Sequence, residues 1–287
     1  MKTVLTIAML VSGAVMLWSL HRHKTGYHPL AKPLAFVCAV IALLCALANM
    51  LVPRGPNPVD IMKNEMAYQR ISAEALGAYL ADKCPGARAL IIVPPDELGW
   101  RVIDSGAGGQ PRPLVEGLKA GFGDRITVVA EVAPELPEAW RKSVAAVSGP
   151  SAEQGPMAMP DGPMLMPEFY LTAEAFDALV ERYRGRCDLV VSTIGLPQDL
   201  RGMKFWQSAI KPKLALAAGQ AYELREAIRR NLIAGMVIQK PGFVPDYKRP
   251  PQDKTEAFAK RFLLLTTDNV DRIASEFAEV FIDGGGK

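Results

Sequence analysis

The sequence predicts an α/β protein: an N-terminal hairpin of two membrane-spanning helices, followed by one doubly wound domain with a mostly parallel sheet. Two apolar stretches without a charged residue, 3–20 and 34–52, predict the hairpin, since a helix needs roughly 20 residues to cross a bilayer. Beyond residue 60, short apolar runs alternate with helical patterns over more than 200 residues. That alternation is typical of parallel sheets covered by helices.

The loop between the two spans, 21–33, predicts the orientation of the hairpin. It contains three Lys and Arg residues, against Lys2 before the first span and Arg54 after the second. Basic loops stay in the cytoplasm. We therefore expect residues from 53 onward in the periplasm, anchored in the lipid of a bacterial inner membrane. Two alternatives remain open: cleavage after the signal-like Ala46-Leu47-Ala48, and the reverse orientation, because the charge bias is small.

Charges and histidines are unevenly divided between the hairpin and the rest of the chain. Residues 1–52 contain four of the 33 Lys and Arg, none of the 30 Asp and Glu, and all three histidines. Residues 53–287 are therefore nearly neutral, which gives no basis for nucleic-acid binding. Without histidine they lack a Ser-His-Asp triad, a Cys-His pair and a His-rich zinc site, and no P-loop or GxGxxG follows the first strand. We expect no cofactor and no resident metal.

The elements of the domain follow the Pro-rich linker 53–59 in order. Helical spacing of apolar residues predicts a first helix at 60–82, and the domain continues to residue 283. Short, nearly continuous apolar runs predict the buried strands of a Rossmann-like sheet at 89–93, 126–132, 188–194, 213–217, 235–239 and 261–266. Amphipathic patterns predict helices at 112–121, 134–146, 171–184, 219–232 and 268–281. Two Pro-rich segments are predicted loops: the Met-rich insert 148–167 and residues 241–256.

The carboxyl ends of the strands predict a ligand site, because open α/β sheets bind ligands at that edge. Small hydroxyl and glycine residues there let a ligand approach the backbone, and Gly219 with Gln220 is predicted to begin a helix whose free N–H groups suit a polar group. The predicted ligand residues are Asp96, Glu131, Ser192, Thr193, Gly195, Gly219 and Gln220. Ordinary turn and capping chemistry is the alternative explanation for each of them.

Two cysteines predict a disulfide bond. Cys84 and Cys187 each precede a predicted strand, 89–93 and 188–194, and in a sheet of order 2-1-3-4-5 these strands are parallel neighbours. Both sulfurs would then lie at the same edge of the sheet, within reach of a bridge. Two unrelated thiols are the alternative. A bridge would favour an extracytoplasmic domain.

Two segments resemble periplasmic binding proteins of the sugar-binding type. They are Asp188-Leu-Val-Val-Ser-Thr-Ile-Gly-Leu-Pro197 and Leu232-Ile-Ala-Gly-Met-Val-Ile-Gln-Lys-Pro241. In that family a strand-end loop contacts the ligand, and a similar helix and strand recur late in the chain. The resemblance covers about residues 88–240 and implies a ligand-binding α/β lobe. The family has two lobes and no membrane hairpin, whereas this chain has length for one lobe, so a second copy or another subunit would have to supply the other.

Three hypotheses for function follow. The first is a membrane-anchored extracytoplasmic domain that binds a small polar ligand or a partner protein without catalysis. The second is a structural or assembly subunit of a cell-envelope membrane complex, with 157–166 and 241–251 as contact loops and other membrane subunits or a second copy as partners. The third is a carboxylate-dependent enzyme that uses Asp96, Glu97 or Glu131 as acid or base.

Overall fold

The computed structural model describes residues 57–95, 112–135, 138, 171–209 and 211–281, and ten helical residues between 11 and 44. The insert 148–167, most of the predicted helix 134–146 and most of both predicted spans lie outside the described residues. The chain divides into two units, Met1–Asp60 and Ile61–Lys287.

The described residues of the two predicted spans are helical. Their large apolar side chains are exposed, at fractions from 40% to 72%: Val11, Phe36, Val37, Val40, Ile41, Leu43 and Leu44. Within the part of the chain that is described, no helix has both the length and the apolar character that crossing a membrane requires. The predicted hairpin itself falls for the most part outside that part.

The second unit contains a six-stranded sheet with the order β2-β1-β3-β4-β5-β6. Its strands are β1 (Arg88–Ile92), β2 (Thr127–Val132), β3 (Leu189–Ser192), β4 (Lys213–Leu216), β5 (Ile233–Gln239) and β6 (Phe262–Leu265). Neighbouring strands are parallel from β2 to β5, and β6 pairs antiparallel with β5. The α/β fold with a mostly parallel sheet is therefore confirmed. Each predicted strand is present, with bounds that differ by at most two residues.

Helices and two short 3₁₀ helices connect the strands. The helices are α1 (Pro58–Lys83), α2 (Pro113–Phe122), α3 (Ala173–Arg182), α4 (Arg225–Arg229), α5 (Lys254–Arg261) and α6 (Val270–Glu276), and the 3₁₀ helices are Lys204–Gln207 and Ala278–Val280. Local chemistry fixes several starts. The side chains of Thr172 and Asp253 accept hydrogen bonds from the N–H groups of Ala175 (3.2 Å) and Thr255 (2.8 Å), which satisfies donors that a helix start leaves without partners.

Apolar side chains alternate between the two faces of the sheet, and helices cover both faces. Along β3, Val190 packs into one core, whereas Leu189 and Val191 pack into the other. Residues of α1 and α2 complete the core that contains Leu189, and residues of α3, α4 and α6 complete the opposite one. Burial on both faces explains why the strands read as continuous apolar runs.

Two predicted segments differ from the structure. The predicted helix 219–232 is present only as α4, because Gly219 and Glu223 have positive φ angles of 118° and 59°, which a right-handed helix does not accommodate. Tyr222, which precedes α4, is 43% exposed. Conversely, α5 occupies the end of the predicted loop 241–256, because the Asp253 side chain caps its first turn.

Helices α1 and α2 approach each other backbone to backbone at glycines. A Cβ atom on Gly121 would lie 2.2 Å from the carbonyl oxygen of Glu74, and a Cβ atom on Gly117 would lie 2.2 Å from that of Arg70. No side chain fits at such distances, so glycine sets the separation of the two helices. This close packing fixes α1 over the sheet.

Candidate functional site

The carboxyl ends of the parallel strands form one edge of the sheet. Ile92 of β1 pairs with Ser192 of β3, and Ser192 pairs with Leu216 of β4, so the loops that follow these strands begin side by side. The order of strands reverses between β1 and β3, and such switch points are common ligand sites in open α/β sheets. The structure therefore brings the loops after β3 and β4 together.

The two predicted hydroxyl ligands, Ser192 and Thr193, are buried and bonded within the protein. Ser192 Oγ donates to the carbonyl oxygen of Gly195 at 2.6 Å and accepts the N–H of Ile194 at 3.3 Å. Thr193 Oγ1 donates to the carbonyl oxygen of Ile92 at 2.9 Å. Their exposed fractions are 0% and 5%. These hydroxyls hold the loop after β3 in shape and are turned away from solvent.

Gly195 and Gly219 place the loops after β3 and β4 against each other. A Cβ atom on Gly219 would lie 3.0 Å from the Cα atom of Gly195. Both glycines have positive φ, 81° for Gly195 and 118° for Gly219, a conformation that L-residues with side chains rarely adopt. The backbones of the two loops therefore occupy the space that these glycines leave.

Gln220 is the predicted ligand residue whose side chain faces solvent. It is exposed beside the exposed Gly219 and Tyr222, and its amide has no hydrogen-bond partner among the described residues. Gly219 and Gln220 do not begin a helix, because α4 starts only at Arg225. The prediction that a helix N-terminus presents its N–H groups at this point is therefore wrong.

Of the three predicted carboxylates, Glu131 is the one that the structure describes. Glu131 of β2 forms ion pairs with Arg112, at 3.4 Å, and with Lys119 of α2. Two cations therefore engage its carboxylate, which is 25% exposed. Asp96 and Glu97 lie outside the described residues, as do the methionines of the insert.

Cys84 and Cys187 are both free thiols. They precede β1 and β3, which are parallel neighbours as predicted. However, Cys84 packs against the core on one face of the sheet and Cys187 belongs to the core on the other face, so the predicted disulfide is not formed. Burial, and next the nearby Asp188 carboxylate, raise the pKa of the Cys187 thiol.

A groove of about 750 Å³ lies at the opposite, amino edge of the sheet. It runs between α3 and residues 202–213, and its apolar lining includes Val180, Cys187 and Phe205. Charges of both signs surround this lining: Glu174, Glu181 and Asp188 are acidic, and Arg184, Lys204, Lys211 and Lys213 are basic. The sequence did not indicate this groove, because its residues come from two segments without a motif and meet only through the fold.

The walls of the groove are held by internal hydrogen bonds. The Asp177 carboxylate of α3 accepts the N–H groups of Lys204 (2.7 Å) and Phe205 (3.0 Å), which fixes the 3₁₀ helix against α3. The Phe205 ring meets the ring of Phe176 edge-on at 5.7 Å. In contrast, the side chains of Glu174 and Lys204 are exposed and have no partners among the described residues. The groove is therefore preformed, with charged groups that remain available to a ligand.

A second cluster that the sequence did not predict surrounds Arg261 at the end of α5. The side chain is 2% exposed, and it bonds to Glu65 of α1 (2.6 Å) and to Asp246 of the 241–251 loop (2.9 Å). Its guanidinium carbon lies 3.4 Å from the centre of the Tyr68 ring. The Arg261 cluster thus joins three segments that are distant in the chain. The sequence signal that could have indicated this cluster is the charge of Arg261 directly before the apolar strand 262–265.

Hydrogen bonds within the Arg261 cluster stabilise the charged forms of Asp246 and Arg261. Hydrogen bonds from Lys260 (2.5 Å) and Arg261 hold the pKa of the Asp246 carboxyl far below its ordinary value, against the effect of burial. Burial disfavours the charged form of Arg261, but hydrogen bonds to Glu65 and Asp246 outweigh this and raise its pKa. The hydroxyl of Tyr68 is buried without a hydrogen-bond partner among the described residues. The cluster joins α1, α5 and the 241–251 loop as a structural clamp.

Among the described residues, no group of three or more His, Cys, Asp or Glu side chains could hold a metal ion. No protein-family model matches this chain, and no curated protein sequence matches it.

One solved structure with a similar arrangement is the crystal structure of an ABC transporter periplasmic solute binding protein from Actinobacillus succinogenes 130z with bound D-allose. It is 9% identical, the TM-score is 0.36, and the match covers 71% of this chain and 62% of that one. This chain thus spans less than two thirds of that protein's length.

Proposed function

We propose that this chain is a membrane-anchored, extracytoplasmic α/β protein that binds a small polar ligand and catalyses no reaction. The groove at the amino edge of the sheet carries the proposal. Its volume of about 750 Å³ falls in the range of small-molecule sites, which combine an apolar lining with a few polar groups. Opposite charges on its two sides suit a ligand that bears both a positive and a negative group.

The carboxyl edge supports ligand binding less well. The hydroxyls of Ser192 and Thr193 are bonded within their own loop, and Gly195 packs on Gly219. Among the predicted ligand residues that the structure describes, Gln220 has an exposed side chain without a hydrogen-bond partner. We therefore assign the ligand to the amino-edge groove, with the carboxyl edge as the alternative location.

Catalysis by carboxylates has weak support. The Glu131 carboxylate is engaged by Arg112 and Lys119. General acid–base catalysis needs a carboxyl group within hydrogen-bond reach of the substrate. Binding without turnover is the simpler reading of this arrangement.

The membrane anchor is proposed from the two uncharged apolar stretches, 3–20 and 34–52. The described residues within them are helical, with exposed apolar side chains, as expected for helices that contact lipid. The test is flotation of the full chain with lipid vesicles at alkaline pH in carbonate. An anchored chain floats with the vesicles, whereas recovery from the soluble fraction would contradict anchoring.

Native mass spectrometry of the full chain in mild detergent tests the bound ligand. We expect a small molecule to co-purify, and the Glu174→Lys variant to lose it, because the variant reverses the charge on the acidic side of the groove. Glu279→Lys is the matched control, since Glu279 is an exposed residue outside the groove lining. Equal loss in both variants, or turnover of the ligand by the unmodified chain, would contradict the proposal.

An assembly subunit is the second candidate. The observation that favours it is the set of exposed apolar side chains in the described residues 36–44, which suits packing against helices of other subunits as well as lipid. Co-purification of a stoichiometric membrane protein, without a small molecule, would favour this candidate over ligand binding.

A further inference from the structure

The 241–251 loop has an unusual combination of exposed side chains. Val244 is 78% exposed, the highest value for a large apolar residue in the described part of the chain, and Tyr247 is 44% exposed. Lys248 and Arg249 follow directly, both exposed, and their side chains have no ion-pair partner among the described residues. Apolar, aromatic and basic groups therefore face solvent together over six residues.

Internal contacts hold this loop in one conformation. Asp246 Oδ1 accepts hydrogen bonds from Arg261 (2.9 Å) and from the N–H of Lys248 (3.3 Å). The Phe243 ring stacks on the Arg261 guanidinium at 4.8 Å. The carbonyl oxygen of Tyr247 accepts a hydrogen bond from Asn64 of α1 at 2.9 Å. The Arg261 cluster thus turns Asp246 and Phe243 inward and leaves Val244 and Tyr247 outward.

The loop lies beside the first turns of α1, the helix that continues from the proposed anchor. Residues 53–57 separate the predicted span from α1, and five residues reach at most roughly 20 Å. Asn64 follows the start of α1 at Pro58 by about 9 Å along the helix. The length of the linker therefore allows the 241–251 loop to reach the surface of the bilayer that holds the proposed anchor.

We propose that the 241–251 loop docks on an anionic bilayer surface, with Val244 and Tyr247 entering the headgroup region and Lys248 and Arg249 contacting lipid phosphates. The inference rests on the proposed membrane anchor and adds the surface by which the domain meets the lipid. Tyrosine favours the membrane–water interface because its ring is apolar and its hydroxyl is polar. Basic side chains near an anionic surface each strengthen binding about fivefold.

The test uses the full chain in vesicles, with Cys38, Cys45, Cys84 and Cys187 replaced by alanine. An environment-sensitive fluorophore is attached at Val244→Cys and, as the control, at Asp124→Cys. Asp124 is exposed at the far end of the domain, next to Arg125, whose carbonyl oxygen accepts the N–H of Gly86 just beyond α1. Vesicles of phosphatidylcholine alone are compared with vesicles that also contain phosphatidylglycerol, and spin-labelled lipid serves as quencher.

We expect a blue shift and several-fold stronger quenching at position 244 than at position 124 in the anionic vesicles, with about a fivefold loss of docking for each of Lys248→Gln and Arg249→Gln. A position 244 probe that behaves like the position 124 probe, while the protein still floats with the vesicles, would overturn the docking and leave the anchor standing. Failure to float would instead contradict the anchor.

Hydrogen exchange on the unmodified chain provides a measurement free of substitutions. We expect slower amide exchange in residues 243–249 on anionic vesicles than on neutral ones, and no difference around Asp124. Protection of 243–249 in native membranes but not in pure lipid vesicles would overturn lipid docking in favour of a protein partner.

Discussion

Arg261 illustrates how a single buried charge organises distant segments. Its guanidinium is almost fully buried, and its two carboxylate partners come from α1 and from the 241–251 loop. Loss of these carboxylates would leave the guanidinium buried without a counter-charge, which destabilises a protein more than the intact pair stabilises it. The clamp therefore couples the position of the loop to the integrity of α1.

Asp246 makes the stability of this cluster depend on pH. Its pKa is held below the unfolded value chiefly by the hydrogen bond from Lys260, so its contribution is present above the unfolded pKa of about 4 and is lost as the pH falls below it. Lys260 and Arg261 stay protonated over this range, and Glu65 also faces the cluster.

We expect Asp246→Asn to lower the free energy of unfolding at neutral pH by about 2 kcal/mol, the size of a charge-assisted hydrogen bond, and to flatten the loss of stability in acid. Denaturant unfolding at a series of pH values measures both effects. Asp124→Asn is the matched control, because Asp124 is exposed and has no partner among the described residues. If Asp246→Asn lost as much stability in acid as the unmodified chain does, Asp246 would not be the cause of that loss.

The free thiols of Cys84 and Cys187 allow a prediction about the order in which they react. Both thiols are free, so alkylation after unfolding without reductant should modify both. In the native protein Cys84 should react before Cys187, because Cys187 is 6% exposed and its pKa is raised, which lowers its thiolate fraction. Peptide mapping by mass spectrometry reads each site. If neither reacts until reductant is added, the two cysteines are bridged.

At the scale of elements, the crossing of α1 and α2 depends on residues with no side chain. Gly117 and Gly121 lie one turn apart on α2 and face the backbone of α1. Gly77 lies opposite them, and a Cβ atom there would come within 2.6 Å of the carbonyl oxygen of Leu118. A backbone cannot yield as a flexible side chain does, so these positions are sensitive to any added atom.

We expect Gly121→Ala to lower the free energy of unfolding by about 2 kcal/mol, in the range of overpacked cores, although alanine has the higher helix propensity. Ala120→Ser is the control, because residue 120 is exposed on the same helix and the change should stay within about 0.5 kcal/mol. Stabilisation by Gly121→Ala would mean that the helices are farther apart than described.

At the scale of the whole molecule, the sheet separates two kinds of surface. Its amino edge carries the groove, and the loop that follows β5 at its carboxyl edge lies beside the start of α1. The proposed binding and the proposed docking therefore use opposite ends of the domain.

A reporter fusion tests the proposed orientation. Alkaline phosphatase, which needs disulfides formed outside the cytoplasm, should be active when fused after residue 287 and inactive when fused after residue 28. Replacing Arg22, Lys24 and Lys32 by glutamine should lower the activity of the C-terminal fusion, because these residues hold the loop inside. Activity at residue 28 and none at residue 287 would establish the reverse orientation.

The alternation of strands and helices, the strand bounds and the neighbouring of β1 and β3 could all be predicted from the sequence. Apolar runs and helical periodicity are local signals, and burial on both faces makes them strong. The predicted helix 219–232 is shortened at its start by the positive φ angles of Gly219 and Glu223 and at its end by that of Asn231. The sequence did not indicate these turns, because such residues also occur within helical patterns.

The residues available at the candidate site could be identified only from the tertiary structure. The sequence by itself determined the fold class, the uncharged stretches of the proposed anchor and the absence of histidine after residue 28. The tertiary structure decided that Ser192 and Thr193 bond within their own loop, that Cys84 and Cys187 lie on opposite faces, and that Arg261 joins Glu65 and Asp246 across nearly 200 residues. The reason is physical: periodicity records which side of an element is buried, but hydrogen-bond partners are set by register and packing between segments that are far apart in the chain.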